Sequence, residues 1–293
     1  MGGEEHRKGL AIATAGIVAL SPESLLIRLV TVDRFTILVW RGALLCLGLL
    51  VASSVIAGTP RVITSIGRGG LLVALFFGIQ TVGFVVSITN TTVANTLVAM
   101  SAAPLFAALF ERVFFRRRLP RRLWAVIVLA MVGITVMFSD SLSTDGLGGD
   151  LAGLGAAAAF GASFVVIGRH RDRTMVPAMG LGGLVAAAIA LPFADPMSVT
   201  AADVGYLAIS GLAVLPVGFG LLAIAPRFIP APEVGLITLL ESILGPVWVW
   251  LALGEEPGLR TVLGGTIVIG SLAANSYLTL KSKDQPAYSV SPA

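Results

Sequence analysis

Hydrophobic residues in this chain form long blocks, and short polar or charged segments separate one block from the next. A helix needs about 20 apolar residues to cross the hydrocarbon core of a bilayer. The pattern therefore predicts an all-α integral membrane protein with ten spans, joined by connections too short for a soluble domain. The predicted spans cover residues 9–30, 35–57, 69–89, 92–114, 122–139, 148–168, 175–194, 203–225, 232–253 and 258–280.

Two of these blocks have the same length and shape. Residues 91–122 run apolar for the depth of a bilayer, contain Pro104 halfway along, and end in a group of arginines. Residues 232–260 also contain a proline, Pro246, but their far end is acidic. We interpret the two blocks as inverted copies of one unit. Substrate sites commonly lie where inverted repeats meet, so the pair indicates a transporter.

The distribution of basic residues predicts how the chain is oriented. Cytoplasmic loops carry an excess of lysine and arginine, and sixteen of the 20 basic residues fall on one side of the predicted membrane. Both termini should then be cytoplasmic, and five spans per half should invert residues 148–280 relative to residues 9–139. The sixteen are Arg7, Lys8, Arg61, Arg68, Arg112, Arg116, Arg117, Arg118, Arg121, Arg122, Arg169, Arg171, Arg173, Arg227, Lys281 and Lys283.

Composition excludes several other classes of protein. Hydrophobic residues make up 56% of the chain and charged residues 12%, which is too apolar for a soluble domain of this length. The single cysteine, Cys46, excludes an intrachain disulfide, and the two histidines form no cluster of metal ligands. The net charge of +4 lies mostly between apolar spans, so it does not indicate nucleic-acid binding. No HExxH, GxSxG or Walker pattern occurs, and we expect neither an enzyme nor a cofactor.

Several polar groups fall inside the predicted spans. A rise of about 1.5 Å per residue places Gln80, Ser101 and Glu241 near the bilayer midplane. A carboxylate there costs about 2.5 to 3.5 kcal/mol, so such groups should face a cavity inside the bundle. The residues expected to line that cavity are Ser21, Gln80, Phe84, Ser101, Pro104, Phe160, Ser163, Glu241 and Ser242.

Glu241 is the candidate for charge or proton coupling. It could carry a proton, bind the amino group of a substrate, or only hold two helices together through a hydrogen bond. For the other acids in or beside spans we expect simple ion pairs, Glu23 with Arg28 and Glu111 with Arg112.

The repeated blocks resemble a known family. AMSAAPLFAALFERVFFRRRLP at residues 99–120 and LITLLESILGPVWVWLALGEEPG at residues 236–258 resemble the paired EamA repeats of the drug/metabolite transporter superfamily. TILVWRGALLCLGLL in the second span and AAFGASFVVIGRH in the sixth are further matches. There are departures: Arg117 replaces an acid of the family pattern, and Ser242 stands where a proline is usual after Glu241.

The resemblance implies a multi-pass exporter in a bacterial inner membrane, similar to the bacterial exporters of amino acids, including aromatic ones. On this interpretation the chain exports amino acids and related small metabolites by alternating access, and its partners are a small-molecule substrate and the lipid bilayer. Efflux of hydrophobic or cationic drug-like compounds is the alternative. Monomer and homodimer both stay open.

Overall fold

The computed structural model describes residues 3–58, 67–139, 146–254 and 258–281. Within these ranges the chain is all-helical and contains no β-strand. The helices are α1 (Gly3–Leu20), α2 (Glu23–Leu29), α3 (Arg34–Ala57), α4 (Gly67–Asn90), α5 (Val93–Met100), α6 (Ala103–Phe115), α7 (Arg121–Met137), α8 (Leu147–Arg169), α9 (Val176–Ala190), α10 (Ala201–Ile209), α11 (Leu215–Ile224), α12 (Ala231–Thr238), α13 (Glu241–Leu253) and α14 (Leu259–Lys281).

Nine segments within the described residues are long and apolar enough to cross a bilayer. They correspond to nine of the ten predicted spans, and this is the pattern of a multi-pass integral membrane protein. The remaining predicted span, residues 122–139, forms α7, whose 17 residues rise about 25 Å. The segment Ala201–Arg227 joins α10 to α11 through a π-helical turn, where Pro216 has no N–H for the regular helical ladder.

Three of the spanning segments are broken near their middle. The breaks lie at residues 21–22 between α1 and α2, at 101–102 between α5 and α6, and at 239–240 between α12 and α13. Pro22 and Pro104 begin the helix after the first two breaks, because a proline fits the first turn but cannot continue the helix before it. The third break contains no proline.

The second and third breaks have the same geometry. α5 and α12 each have eight residues, and α6 and α13 each have 13. Each longer helix ends at a left-handed residue, Arg116 with φ 51° and Gly254 with φ 72°. Every boundary in residues 93–116 therefore recurs 138 positions later in residues 231–254.

Most of the basic residues within the described ranges lie at one end of the bundle, which we call the arginine-rich end. There the guanidinium of Arg169 lies 5.5 Å from the Phe115 ring centroid, and Arg122 Nη1 donates to the Leu278 carbonyl oxygen at 3.1 Å. Aspartates cap helices at the opposite end, as Asp33 does for α3. Among the predicted loop charges, Arg61, Asp140, Asp145, Glu255, Glu256 and Lys283 lie outside the described residues.

The helices pack in two groups. In the first group, α8 packs against α4, α5 and α6; in the second, α1 packs against α11, α12 and α13. α3 packs along α9, and α7 packs along α14. Small residues allow these close approaches: a Cβ on Gly161 of α8 would lie 2.7 Å from the Ala103 carbonyl oxygen of α6.

The two groups meet at the arginine-rich end. α12 packs on α6 and α8, and all of its residues, Ala231–Thr238, are buried. A Cβ on Gly235 of α12 would lie 3.0 Å from Pro104 Cα. α13, which continues the same span toward the opposite end, packs on α1 and α2, and most of its described residues are partly or fully exposed. The bundle is therefore closed at the arginine-rich end.

Candidate functional site

Two carboxylates and a guanidinium come together beside the helix breaks, and we call them the charged site. Glu23 is the first residue of α2, Glu241 is the first residue of α13, and Arg41 lies in α3. Arg41 Nε donates a hydrogen bond to Glu23 Oε1. The same guanidinium is close enough to Glu241 for their charges to interact. Three separate helices thus supply one ionic cluster inside the bundle.

The members of the charged site differ in their access to solvent. Glu23 is 4% exposed, whereas the side chain of Arg41 is 20% exposed and Glu241 is partly exposed. Arg41 and Glu241 can therefore meet a ligand, while Glu23 holds the guanidinium in place. With all three groups ionised, the charged site has one more negative than positive charge.

A tryptophan fixes the position of α13 beside this site. Trp248 Nε1 donates to Ser21 Oγ at 2.8 Å, and Ser21 Oγ in turn donates to the Val18 carbonyl oxygen at 2.8 Å. Ser21 is 2% exposed and lies in the break before Glu23. Of the predicted lining residues, Ser21 and Glu241 are thus brought to the charged site, and Ser242 follows Glu241 as a partly exposed residue.

Four other predicted residues lie in the packed interior in this state. Ser101 donates to the Val98 carbonyl oxygen at 2.6 Å, and Ser163 donates to the Phe160 carbonyl oxygen at 2.7 Å, so both hydroxyls serve their own helices. Phe160 packs on Phe164 with ring centroids 4.6 Å apart. Pro104 is buried at the crossing of α6 and α12.

Gln80 and Phe84 lie on α4, away from these breaks in the chain. Gln80 is partly exposed, and its Oε1 accepts a hydrogen bond from Thr81 Oγ1 at 3.3 Å. Phe84 packs against the cluster formed by Leu38, Val85 and Ala190. Of these two predicted residues, Gln80 is therefore the one whose side chain can still meet a ligand.

Glu23 has a partner that the sequence did not predict, and the expected pair with Arg28 stays a prediction. Glu23 pairs with Arg41 of the neighbouring helix α3, and the side chain of Arg28 lies outside the described set. Reasoning along the chain could offer only near neighbours in sequence, whereas the ion pair joins two spans. The signal for Arg41 was its own position: a guanidinium inside a span requires a counter-charge.

The expected partner of Glu111 was wrong. Glu111 Oε1 lies 3.7 Å from Arg117 Nη1, not beside Arg112. The left-handed Arg116 ends α6 and turns the chain back, so the Arg117 N–H donates to the Glu111 carbonyl oxygen at 3.2 Å. A non-glycine residue in this conformation is uncommon, and the sequence offered no sign of it.

A second polar cluster lies at the arginine-rich end. His6 Nε2 of α1 lies 3.3 Å from Glu233 Oε2 of α12, and Glu111 lies nearby on α6. All three residues are buried. Across the described ranges, no group of three or more His, Cys, Asp or Glu side chains is placed to bind a metal ion.

Comparison with known proteins agrees with a transport role. Residues 147–277, beginning at the first residue of α8, match the EamA-like transporter family. The "Uncharacterized transporter YdfC" of Bacillus subtilis (strain 168) is 27% identical over 187 residues, covering 61% of this chain and 60% of YdfC. The match thus spans about three fifths of that curated relative. Both matches are thus to membrane transporters.

The fold also has a counterpart among solved structures. A protein crystal structure superposes with a TM-score of 0.78 over 94% of this chain and 100% of the other chain. The sequence identity is 15%, so this likeness shows the shared fold alone.

Proposed function

We propose that this transporter exports amino acids and related small metabolites across the bacterial inner membrane by alternating access. The charged site carries the proposal, because Arg41 and Glu241 lie within range of each other's charge and both are partly exposed. A zwitterionic amino acid has a carboxylate for the guanidinium and an ammonium group for the Glu241 carboxylate. Glu23 balances Arg41 when no substrate carboxylate is bound.

The helix boundaries and the packing support two inverted repeats, residues 9–139 and 148–280, within a ten-span bundle. The 138-residue recurrence maps α5 and α6 onto α12 and α13. The same relation maps the contact of α4 with α8 onto that of α11 with α1, and pairs α3 with α9 and α7 with α14. This pattern is the one expected from a pseudo-twofold axis in the membrane plane, and substrate sites commonly lie between such repeats.

The basic residues support a cytoplasmic location for the arginine-rich end. On that orientation, the described state is closed toward the cytoplasm and open toward the outside. The breaks beside Glu23 and Glu241 are suited to act as hinges, because the regular α-helical ladder is interrupted there; at residues 239–240 it gives way to i→i−3 bonds such as that from the Ser242 N–H to the Leu239 carbonyl oxygen. Export would then require the arginine-rich end to open, admit the substrate to the charged site, and close again.

Substrate analogues lacking one charge test this proposal. Purified protein in liposomes is loaded with a labelled amino acid, and efflux is measured with the parent amino acid, its methyl ester and its des-amino acid as competitors. We expect the parent to compete best, because the ester cannot engage Arg41 and the des-amino acid cannot engage Glu241. In Arg41→Gln the ester should approach the parent in potency. Equal competition by all three compounds in the wild type would contradict the proposal.

Efflux of cationic drug-like compounds is the second candidate function. The excess negative charge of the charged site favours it, since a monovalent cation would neutralise Glu241. This function predicts that Arg41→Gln transports cations faster than the wild type, and that amino acids do not compete. The same liposomes, loaded with a fluorescent hydrophobic cation, separate the two functions.

A further inference from the structure

Three ionisable groups are enclosed at the arginine-rich end. Glu111 of α6 is 4% exposed, Glu233 of α12 is 6% exposed, and His6 of α1 is 7% exposed. They come from three helices. They lie on the closed side of the bundle, about half the length of a membrane span from the charged site. The export mechanism proposed above does not use them.

Each group has an unsatisfied polar atom. Glu111 Oε2, Glu233 Oε2 and His6 Nε2 are buried and have no hydrogen-bond partner among the described residues. His6 Nε2 and Glu233 Oε2 are only 3.3 Å apart, so a suitably placed proton could join them. Burying charge without a hydrogen-bond partner costs free energy, and a bound proton removes part of that cost.

Closure of this end brings the two carboxyl groups together. Glu111 belongs to the first packing group and Glu233 to the second, and the Glu111 carboxylate faces the N–H of Ala231 at the start of α12. The two carboxylates repel each other in this arrangement. Separation of the two packing groups of helices would move the carboxylates apart and expose them to water. Closure of this end and proton binding therefore favour each other.

The neighbouring arginines only partly offset this repulsion. Arg117 and Arg171 act on Glu111, and Arg122 acts on Glu233 and His6. Arg117 stays 3.7 Å from Glu111 Oε1, and Arg122 donates to the Leu278 carbonyl oxygen. Further charged or titratable groups lie on α1, α6, α7 and α8 or in the segments next to these helices and to α12. They are Glu4, Glu5, Arg7, Lys8, Arg112, Arg116, Arg118, Arg121, Arg169, His170, Arg173 and Arg227.

The described residues at the opposite end that correspond to Glu233 and Glu111 are not acids. By the 138-residue relation, Glu233 corresponds to Asn95 and Glu111 corresponds to Val249. Asn95 Nδ2 donates to Asp150 Oδ1 at 3.0 Å, and Thr91 Oγ1 donates to the same oxygen at 2.8 Å. Asp150 is thus satisfied by neutral donors, in contrast to the unsatisfied atoms of Glu111 and Glu233.

We propose that Glu111, Glu233 and His6 form a binding site for one proton, which is held while the arginine-rich end is closed. The proton comes from water at that end and returns to it when the end opens. The site is separate from Glu241, and it makes opening toward the cytoplasm easier at higher cytoplasmic pH. This inference rests on the proposed transport function and on the orientation given with it.

A buried cysteine tests the site without any substrate. Val234 is 0% exposed and follows Glu233 in the sequence. In a Cys46→Ala background, Val234→Cys reports opening through its alkylation rate, divided by the rate for Glu4→Cys at the same pH to correct for thiol ionisation. We expect this ratio to rise between about pH 5 and pH 8. One linked proton limits the rise to about tenfold per pH unit.

Variants distinguish proton binding at Glu111, Glu233 and His6 from proton binding at another group. Glu233→Gln should keep the ratio low and independent of pH, since glutamine resembles the protonated acid; Glu111→Gln should also remove the pH dependence. Glu5→Gln, at an exposed acid next to His6 on α1, should keep it. A wild type without pH dependence, or unchanged dependence in Glu111→Gln and Glu233→Gln, would overturn the proposal. If Glu233→Gln does not fold, Glu111→Gln and His6→Gln decide.

This test and the transport test can fail separately. Loss of the pH dependence in these variants together with no amino-acid transport would overturn the proposed function and leave the proton site standing. Amino-acid transport with unchanged pH dependence in the variants would do the reverse.

Discussion

Trp248 and Ser21 are 227 positions apart in sequence, and their side chains share a 2.8 Å hydrogen bond from Nε1 to Oγ. The bond joins α13, which begins at Glu241, to the break that precedes Glu23. It therefore holds the two acids of the charged site in one arrangement. Neither residue is charged, so its removal changes the geometry of the site without changing its electrostatics.

Trp248→Phe should weaken substrate binding while the protein still folds. The substitution removes one hydrogen bond worth about 1 kcal/mol, which corresponds to roughly a fivefold increase in the concentration for half-maximal transport. Transport at varied substrate concentration measures the effect. Trp250→Phe, on the same helix and 43% exposed, is the control and should behave as the wild type.

Breaking the ion pair in the charged site should destabilise the protein. Arg41→Gln leaves the buried Glu23 without its partner, at an expected cost of about 3 to 5 kcal/mol. The double variant Glu23→Gln, Arg41→Gln should recover most of that loss, because no buried charge is then left unpaired. Thermal unfolding in detergent measures both.

The exposed pair of Arg173 and Asp172 provides the control for that experiment. Its side chains are 53% and 70% exposed, and the atoms are 3.3 Å apart. Asp172→Asn should change the melting temperature little, since exposed ion pairs contribute about 0 to 1 kcal/mol. A loss as large as that of Arg41→Gln would show that burial is not the cause.

The sequence predicted the membrane class, but neither the break at residues 239–240 nor the partners of Glu23 and Glu111. A span is visible because about 20 consecutive apolar residues give a local signal. The pairing of Glu23 with Arg41 depends on how two spans pack, and the pairing of Glu111 with Arg117 depends on the left-handed turn at Arg116. The burial of Ser101 and Ser163 likewise follows from closure of one end of the bundle, a property of the conformational state.

The close packing of α3 on α9 predicts a steric effect at Gly42. A Cβ there would clash with the carbonyl oxygen of Gly183. Gly42→Val should separate the two helices and lower the yield of folded protein by several-fold, since overpacking costs about 1 to 3 kcal/mol. Gly155→Ala, on α8 with open space around its Cβ position, is the control and should fold at least as well as the wild type.

The proposed orientation predicts which loops a membrane-impermeant thiol reagent reaches in intact cells. In a Cys46→Ala background, cysteine at Met197, which is 88% exposed, should react from outside, and cysteine at Asp172 should react only after lysis. Reporter fusions at Asp145 and Arg171 should give external and internal signals, respectively. The opposite pattern would invert the topology and remove the assignment of the arginine-rich end to the cytoplasm.

Counterflow in liposomes tests most directly whether amino acids are transported at the charged site. Vesicles loaded with unlabelled amino acids should accumulate at least one labelled amino acid through the wild-type protein. Glu241→Gln should reduce that accumulation at every pH if the carboxylate binds the substrate ammonium, or remove only its pH dependence if Glu241 carries a proton. Accumulation of hydrophobic cations but of no amino acid, or wild-type rate, affinity and pH profile in Glu241→Gln, would contradict this account.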